Sequence, residues 1–67
     1  MKTIQIEVRL SDWAEYVAQD ENGQWWGAET ELFPDDEDGA WYSQRGRMEE
    51  IVYGPPNENW RDTLRKV

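Results

Sequence analysis

The sequence predicts a mainly β protein: a small twisted antiparallel sheet of four or five strands, with a short C-terminal helix or tail. Three observations predict it. Ile4-Gln5-Ile6-Glu7-Val8-Arg9-Leu10 alternates strictly, with the aliphatic residues on one side and the polar ones on the other, which is the period of a half-buried strand. Asn22-Gly23 stands between two apolar runs, the strongest short hairpin signal, because a type I′ turn needs positive φ at both central residues. Gly54-Pro55-Pro56 then ends strand character, since proline cannot donate to a ladder.

The elements follow in order. The alternating run over 4–10 is the first strand, and Ser11-Asp12 breaks it. Residues 15–20 read as a second strand, with Tyr16 and Val17 on opposite faces. A third leaves the Asn-Gly turn through Gln24-Trp25-Trp26 and continues to Leu32, where Phe33-Pro34 ends it. Asp35-Asp36-Glu37-Asp38-Gly39 has no apolar content and reads as a surface loop. Ala40-Trp41-Tyr42-Ser43 is a short fourth strand, Arg45-Gly46 a turn, and residues 48–53 a fifth strand. Beyond the prolines, Asn57 or Asn59 is placed to cap a turn or two of helix. That helix would put Trp60 and Leu64 on one face and pack Trp60 onto the sheet, while residues 65–67 fray. The expected core is Ile4, Ile6, Val8, Leu10, Val17, Trp26, Leu32, Val52 and Trp60.

At 67 residues the chain holds one domain, residues 1–67. A domain of this length buries only about 60% of the surface its unfolded chain exposes, so its stability is small. There is no cysteine to staple it or to hold zinc as thiolate, and no histidine, the commonest metal ligand and general base. Large side chains must compensate, and five Trp, three Tyr and one Phe supply them. No Gly-rich phosphate loop occurs, and adjacent Glu49 and Glu50 fall on opposite faces of a strand. The reading is therefore of a protein that binds and does not catalyse, with no cofactor and no metal.

The net charge is −8, from 15 acidic and 7 basic residues. Direct contact with nucleic acid or an anionic membrane is disfavoured, because phosphates need cations. A protein partner with a basic surface is favoured. The same charge also serves plain solubility. The N-terminus lacks the continuous apolar region of a signal peptide, and no stretch approaches the roughly 18 apolar residues of a membrane span, so a cytoplasmic setting is expected.

Two acidic turns echo each other. Asp20-Glu21-Asn22-Gly23-Gln24-Trp25-Trp26 and Asp36-Glu37-Asp38-Gly39-Ala40-Trp41-Tyr42 each place an aromatic pair at the start of a strand. Each also looks like half of a calcium loop, with hard oxygen donors before a glycine, but neither completes the ligand set; turn chemistry is the first reading of both, and a cation-binding module is the third and least favoured function. In each aromatic pair one residue faces each side of the sheet, which either exposes a ring for contact or requires a second covering layer. The acidic stretch of Glu29, Glu31, Asp35, Asp36, Glu37 and Asp38 either solvates a loop or, set beside aromatics, imitates the phosphates of a nucleic acid. As a partner-binding surface it combines those six carboxylates with Trp25 and Trp41 as aromatic anchors.

Asp12-Trp13-Ala14-Glu15-Tyr16-Val17-Ala18, continuing to Trp25-Trp26, and Pro56-Asn57-Glu58-Asn59-Trp60-Arg61-Asp62-Thr63-Leu64 together span much of the chain. They resemble stretches of short bacteriophage and prophage proteins. The resemblance implies a viral origin and an infected bacterial host, without assigning an activity or a site. Compact acidic phage proteins include inhibitors of host defence, of anti-CRISPR and anti-restriction type. The expected function is thus inhibition of a host nuclease or other nucleic-acid-binding defence protein by occupying its basic surface. The alternative is a small structural or adaptor protein that self-associates, as a homodimer, through a strand edge.

Overall fold

The computed structural model describes residues 9–67, so residues 4–8 of the first predicted strand, with Ile4, Ile6 and Val8, lie outside the described residues. The rest is mainly β. In chain order the elements are β1 (Tyr16–Gln19), β2 (Gln24–Ala28), β3 (Leu32–Asp35), β4 (Ala40–Ser43), β5 (Met48–Tyr53), a single 3₁₀ turn (Trp60–Asp62) and β6 (Arg65–Lys66). Four strands form one antiparallel sheet in the order β5-β2-β1-β6, and β3 and β4 form a separate two-stranded ribbon inserted between β2 and β5.

The β1–β2 hairpin turns differently from the type I′ expectation. Gly23 N–H donates to Asp20 O at 2.9 Å, and Asp20 N–H donates to Gln24 O at 2.9 Å. Among the described residues none other than glycine has positive φ, so Asn22 does not adopt the left-handed region; within this turn Gly23 alone does, at φ 101°. This is a type I turn followed by a left-handed glycine, the three-residue hairpin loop. Glycine is required for a second reason. A Cβ at position 23 would lie 2.1 Å from the Gly54 carbonyl oxygen, which itself follows from the Gly54 N–H donating to Gly23 O at 2.8 Å.

β2 ends at Ala28, short of the predicted Leu32. Residues 29 and 30 bend, because their side chains bond away from the sheet: Glu29 to Arg47, and the Thr30 hydroxyl to the Arg45 carbonyl. The chain then starts again as β3, and Phe33-Pro34, expected to end a strand, lies inside one. Pro34 sits opposite Trp41 in a ribbon where both strands are edges, and there a missing N–H is tolerated. β5 contains a bulge: Gln24 pairs with Tyr53 but Trp26 with Glu50, so β5 carries an extra residue opposite Trp25.

The register places Tyr16, Ala18, Trp26, Ala28 and Met48 on one face of the four-stranded sheet. The buried core there is Ala18, Ala28, Leu32, Trp41 and Trp60, flanked by Tyr16, Met48 and Leu64. Two alanines in the central strands leave space that two indoles fill. Trp41 and Trp60 meet edge to face, centroids 5.7 Å apart at 82°, the favoured aromatic geometry. Leu32 and Trp60 are buried as expected, whereas Leu10, Val17, Trp26 and Val52 are only half-buried. Leu10 packs instead over the opposite face, against Gly27, and Ser11 fixes it there by donating its N–H and its hydroxyl to the two oxygens of Glu49, at 3.0 and 2.9 Å.

Residues 65 and 66 do not fray. They pair as β6 with β1, Tyr16 opposite Lys66 and Val17 opposite Arg65, and Val67 N–H donates to Glu15 O at 2.8 Å. The 3₁₀ turn explains this. It buries Trp60 and turns the chain back along β1, where the edge hydrogen bonds are unfilled.

Two alanine substitutions test the glycine argument. Gly46 also has positive φ, 87°, but its added Cβ would meet mainly the flexible Glu29 and Thr30 side chains. Gly46→Ala should cost about 1 kcal/mol by backbone conformation alone. Gly23→Ala should cost clearly more, above about 2 kcal/mol, since a backbone carbonyl must move as well. Urea unfolding of the two variants measures the difference, and equal losses would contradict the packing of Gly23 on Gly54.

Candidate partner-binding surface

The acidic residues are positioned by a buried polar hub at the end of β1. Asp20 is 7% exposed and points inward. Its Oδ2 accepts the Trp26 indole N–H and its Oδ1 the Trp41 backbone N–H, each at 2.8 Å. Gln19 is buried beside it. The Gln19 carbonyl accepts the Trp41 indole N–H at 2.8 Å, and its N–H donates to the Thr63 hydroxyl at 2.8 Å. Its side-chain amide donates to Gly23 O and Pro55 O, at 3.1 and 3.2 Å, while its Oε1 accepts from Asn57 Nδ2 at 3.0 Å. Thr63 passes the network on by donating to Trp60 O at 2.6 Å. Among the described residues no buried side-chain nitrogen or oxygen lacks a partner.

The hub brings the two echoing turns together. Glu21 N–H donates to Gly39 O at 2.8 Å, and Asn57 N–H donates to Glu21 O at 2.9 Å. The tip of the β3–β4 ribbon is thereby fixed against the β1–β2 turn. Within the tip, Gly39 N–H closes onto Asp35 O at 2.9 Å, and Asp35 Oδ1 accepts the Glu37 N–H at 3.1 Å. Asp36, Glu37 and Asp38 project into solvent from this closed loop. Among the described residues their one ion pair is Arg61 Nε to Asp36 Oδ1 at 3.3 Å, between two well-exposed side chains, which contributes little.

Aromatic surface adjoins the loop, but not the surface expected. Trp41 was expected to be an anchor, and it is 6% exposed, a core residue. Alternation along β4 turns the next residue outward. Tyr42 is 45% exposed, with its ring 5.9 Å from that of Phe33 on the neighbouring strand. Pro34, Asp35, Asp36, Glu37 and Tyr42 line one shallow depression. Trp25 pairs with Gln19 on the face of the sheet opposite Trp26, so it is half-buried and separated from the loop by the sheet. The sequence signal for Tyr42 was its pairing with Trp41; which of the two faced inward was set by β3–β4 register, which the sequence does not display.

The six expected carboxylates do not form one patch. Asp35, Asp36, Glu37 and Asp38 occupy the ribbon tip. Glu29 lies at the ribbon's other end, beside the 44–47 turn, and exposed Glu31 follows it. Glu29 serves structure: its Oε2 binds Arg47 Nη2 at 2.7 Å, and that guanidinium stacks 4.6 Å over the Trp13 ring. The Arg47 hydrogen bond and charge hold the Glu29 carboxyl below the usual carboxylate range.

In the first half-loop both Asp20 oxygens are occupied by N–H donors, and among the described residues no group of three or more His, Cys, Asp or Glu side chains is arranged to hold a metal. Among the same residues no helix is long and apolar enough to cross a membrane. No family model matches the chain, and no match was found among curated proteins or solved structures.

The hub and the loop should respond differently to the same chemical change. Asp20→Asn turns an amide NH₂ towards an N–H donor and should cost about 1–3 kcal/mol. Asp36→Asn should stay within about 0.5 kcal/mol of the parent. Chemical denaturation distinguishes them. Glu29 supplies a pH effect. Its folded pKa is depressed, so its contribution is present above the unfolded value and is lost as pH falls from about 4.5 through the lower folded value. Glu29→Gln should therefore flatten the acid side of a melting-temperature profile while leaving its shape near neutrality unchanged.

Proposed function

We propose that this chain is a phage-encoded acidic binding protein that inhibits a host nuclease or nucleic-acid-binding defence protein, of anti-CRISPR or anti-restriction type, by covering its basic surface. The single observation that carries the reading is the ribbon tip. Three exposed carboxylates, Asp36, Glu37 and Asp38, stand on a loop closed by its own hydrogen bonds, with the Tyr42 ring exposed beside them. Rigid carboxylates next to an amphipathic ring suit a basic groove: the charges steer encounter and the ring supplies desolvated contact. The net charge of −8 works in the same direction at long range. The cytoplasm of the infected cell is the corresponding location.

A second reading is a self-associating structural or adaptor protein. It draws on β5, a six-residue strand whose outer edge has no neighbour among the described residues. Open edges template pairing with another chain.

The test uses charge reversal. Asp36→Lys with Asp38→Lys should leave the melting temperature within a few degrees of the parent, because neither side chain enters the hub. The parent should retain a nucleic-acid-binding protein from host lysate at low salt, release it at high salt, and displace nucleic acid from it; the double variant should do none of these. Retention unchanged by the reversal would overturn the inhibitor reading. A dimer in sedimentation without any host protein, broken by a proline in β5, would transfer the weight to self-association.

A further inference from the structure

Asn22-Gly23 is the dipeptide most open to imide chemistry, because glycine leaves its own nitrogen unshielded. Packing against Gly54 nevertheless obliges this chain to keep glycine at position 23. Asn22 is exposed, and its side chain is engaged: Oδ1 accepts the Gln24 N–H at 3.0 Å. Gly23 is buried, and its N–H is engaged too, on Asp20 O. We propose that Asn22 is a self-modification site, slowed by the folded turn, whose conversion to isoaspartate dismantles the polar hub of Gln19.

The reaction balances without any enzyme. Solvent base removes the Gly23 N–H proton. The nitrogen then bonds to Asn22 Cγ, the Cγ–Nδ2 bond breaks, and the amide nitrogen leaves as ammonia after taking up a proton from solvent. Water opens the resulting cyclic imide at either carbonyl, giving aspartate or isoaspartate. The native turn opposes the first bond twice. The reacting N–H must leave Asp20 O, and the Asn22 side chain must leave Gln24 N–H to swing onto that nitrogen. Position i+2 of a type I turn also has ψ near 0°, which does not present the following nitrogen to Cγ.

The two products differ in consequence. Aspartate retains the acceptor for Gln24 N–H and adds a charge beside Glu21. Isoaspartate lengthens the main chain by one methylene between residues 22 and 23. That displaces Gly23 O, which accepts from Gln19 Nε2 and from Gly54 N–H, so the turn can no longer hold the Gln19 amide or the segment that follows β5.

The intact chain, incubated at mildly alkaline pH with and without denaturing urea, tests this. Peptide mass spectrometry follows loss of the amide at Asn22, with Asn57 and Asn59 as internal references. In urea Asn22 should convert well ahead of both references. In buffer it should slow by about tenfold or more, the cost of breaking the turn's hydrogen bonds first. Isoaspartate-bearing protein, separated by ion exchange, should melt below the parent. Asn22→Asp should melt close to it, which separates main-chain lengthening from added charge. Equal rates in buffer and urea would overturn the protection, and isoaspartate-bearing protein that melts like the parent would overturn the coupling to the hub.

Discussion

Everything in this fold depends on how two consecutive polar residues at the end of β1 are satisfied inside the protein. Gln19 and Asp20 are buried at 4% and 7% exposure. A buried polar group without a partner costs roughly 1–3 kcal/mol, a large part of what so short a chain has available. Their donors and acceptors are therefore obligations on the rest of the molecule. Trp26, Pro55 and Asn57 each answer one of them, and Gly23, Trp41 and Thr63 two each. In answering, they fix where the ribbon, the proline segment and the 3₁₀ turn lie. Apolar packing supplies most of the driving force, but it is not directional. The hub selects a single arrangement of the same hydrophobic pieces.

That arrangement sorts the acidic residues by role. Asp20 is structural, Glu49 holds Ser11, and Glu29 pairs with Arg47. Among the described residues the carboxylates at the ribbon tip have no comparable duty: beyond one turn-closing bond to Asp35 and one exposed pair to Arg61, they face water. A marginal protein gains little stability from concentrating like charge on one loop, so the tip is where binding is sought. Its location follows from the hub, because the Glu21–Gly39 and Asp20–Trp41 bonds set the loop's height above the sheet.

Much of this was legible in the residues. Residue pattern and glycine-bearing turns located β1, β4 and β5 to within a residue, and the start but not the end of β2, and the need to bury Trp60 foresaw a short C-terminal turn on the sheet. What escaped was long-range. Sequence pattern could not show that Leu32 begins a new strand, because the reason is a partner, Ser43, in another segment. It overrated Val17 and Val52 as core because large aliphatics are buried on average, whereas here Ala18 and Ala28 make room for indoles. It read residues 65–67 as a loose tail because an edge strand's vacancy on β1 leaves no local mark. For the candidate site, the acidic loop at 35–38 was visible as charge. Its separation from Glu29 and Trp25, and the replacement of Trp41 by Tyr42, were decided by register.

The insertion of the ribbon between two paired strands has a kinetic side. β2 meets β5 only after the whole β3–β4 excursion has been accommodated, and Gln19 meets Thr63 only after almost all the later chain has been placed. Contacts this distant in sequence carry their loop-closure entropy before they return any stabilisation, which makes folding slow for a chain of this size. Until the later segments dock, a β1–β2 hairpin has its Ala18–Ala28 face bare and its Gln19 amide wet. It stays so until the segment over 65–67 closes the β1 edge. An apolar hairpin exposed for that long is vulnerable to pairing with its neighbours. The acidic residues crowding its turn and the following ribbon give the nascent chains mutual repulsion during that interval, a use of negative charge that ends once the protein has folded.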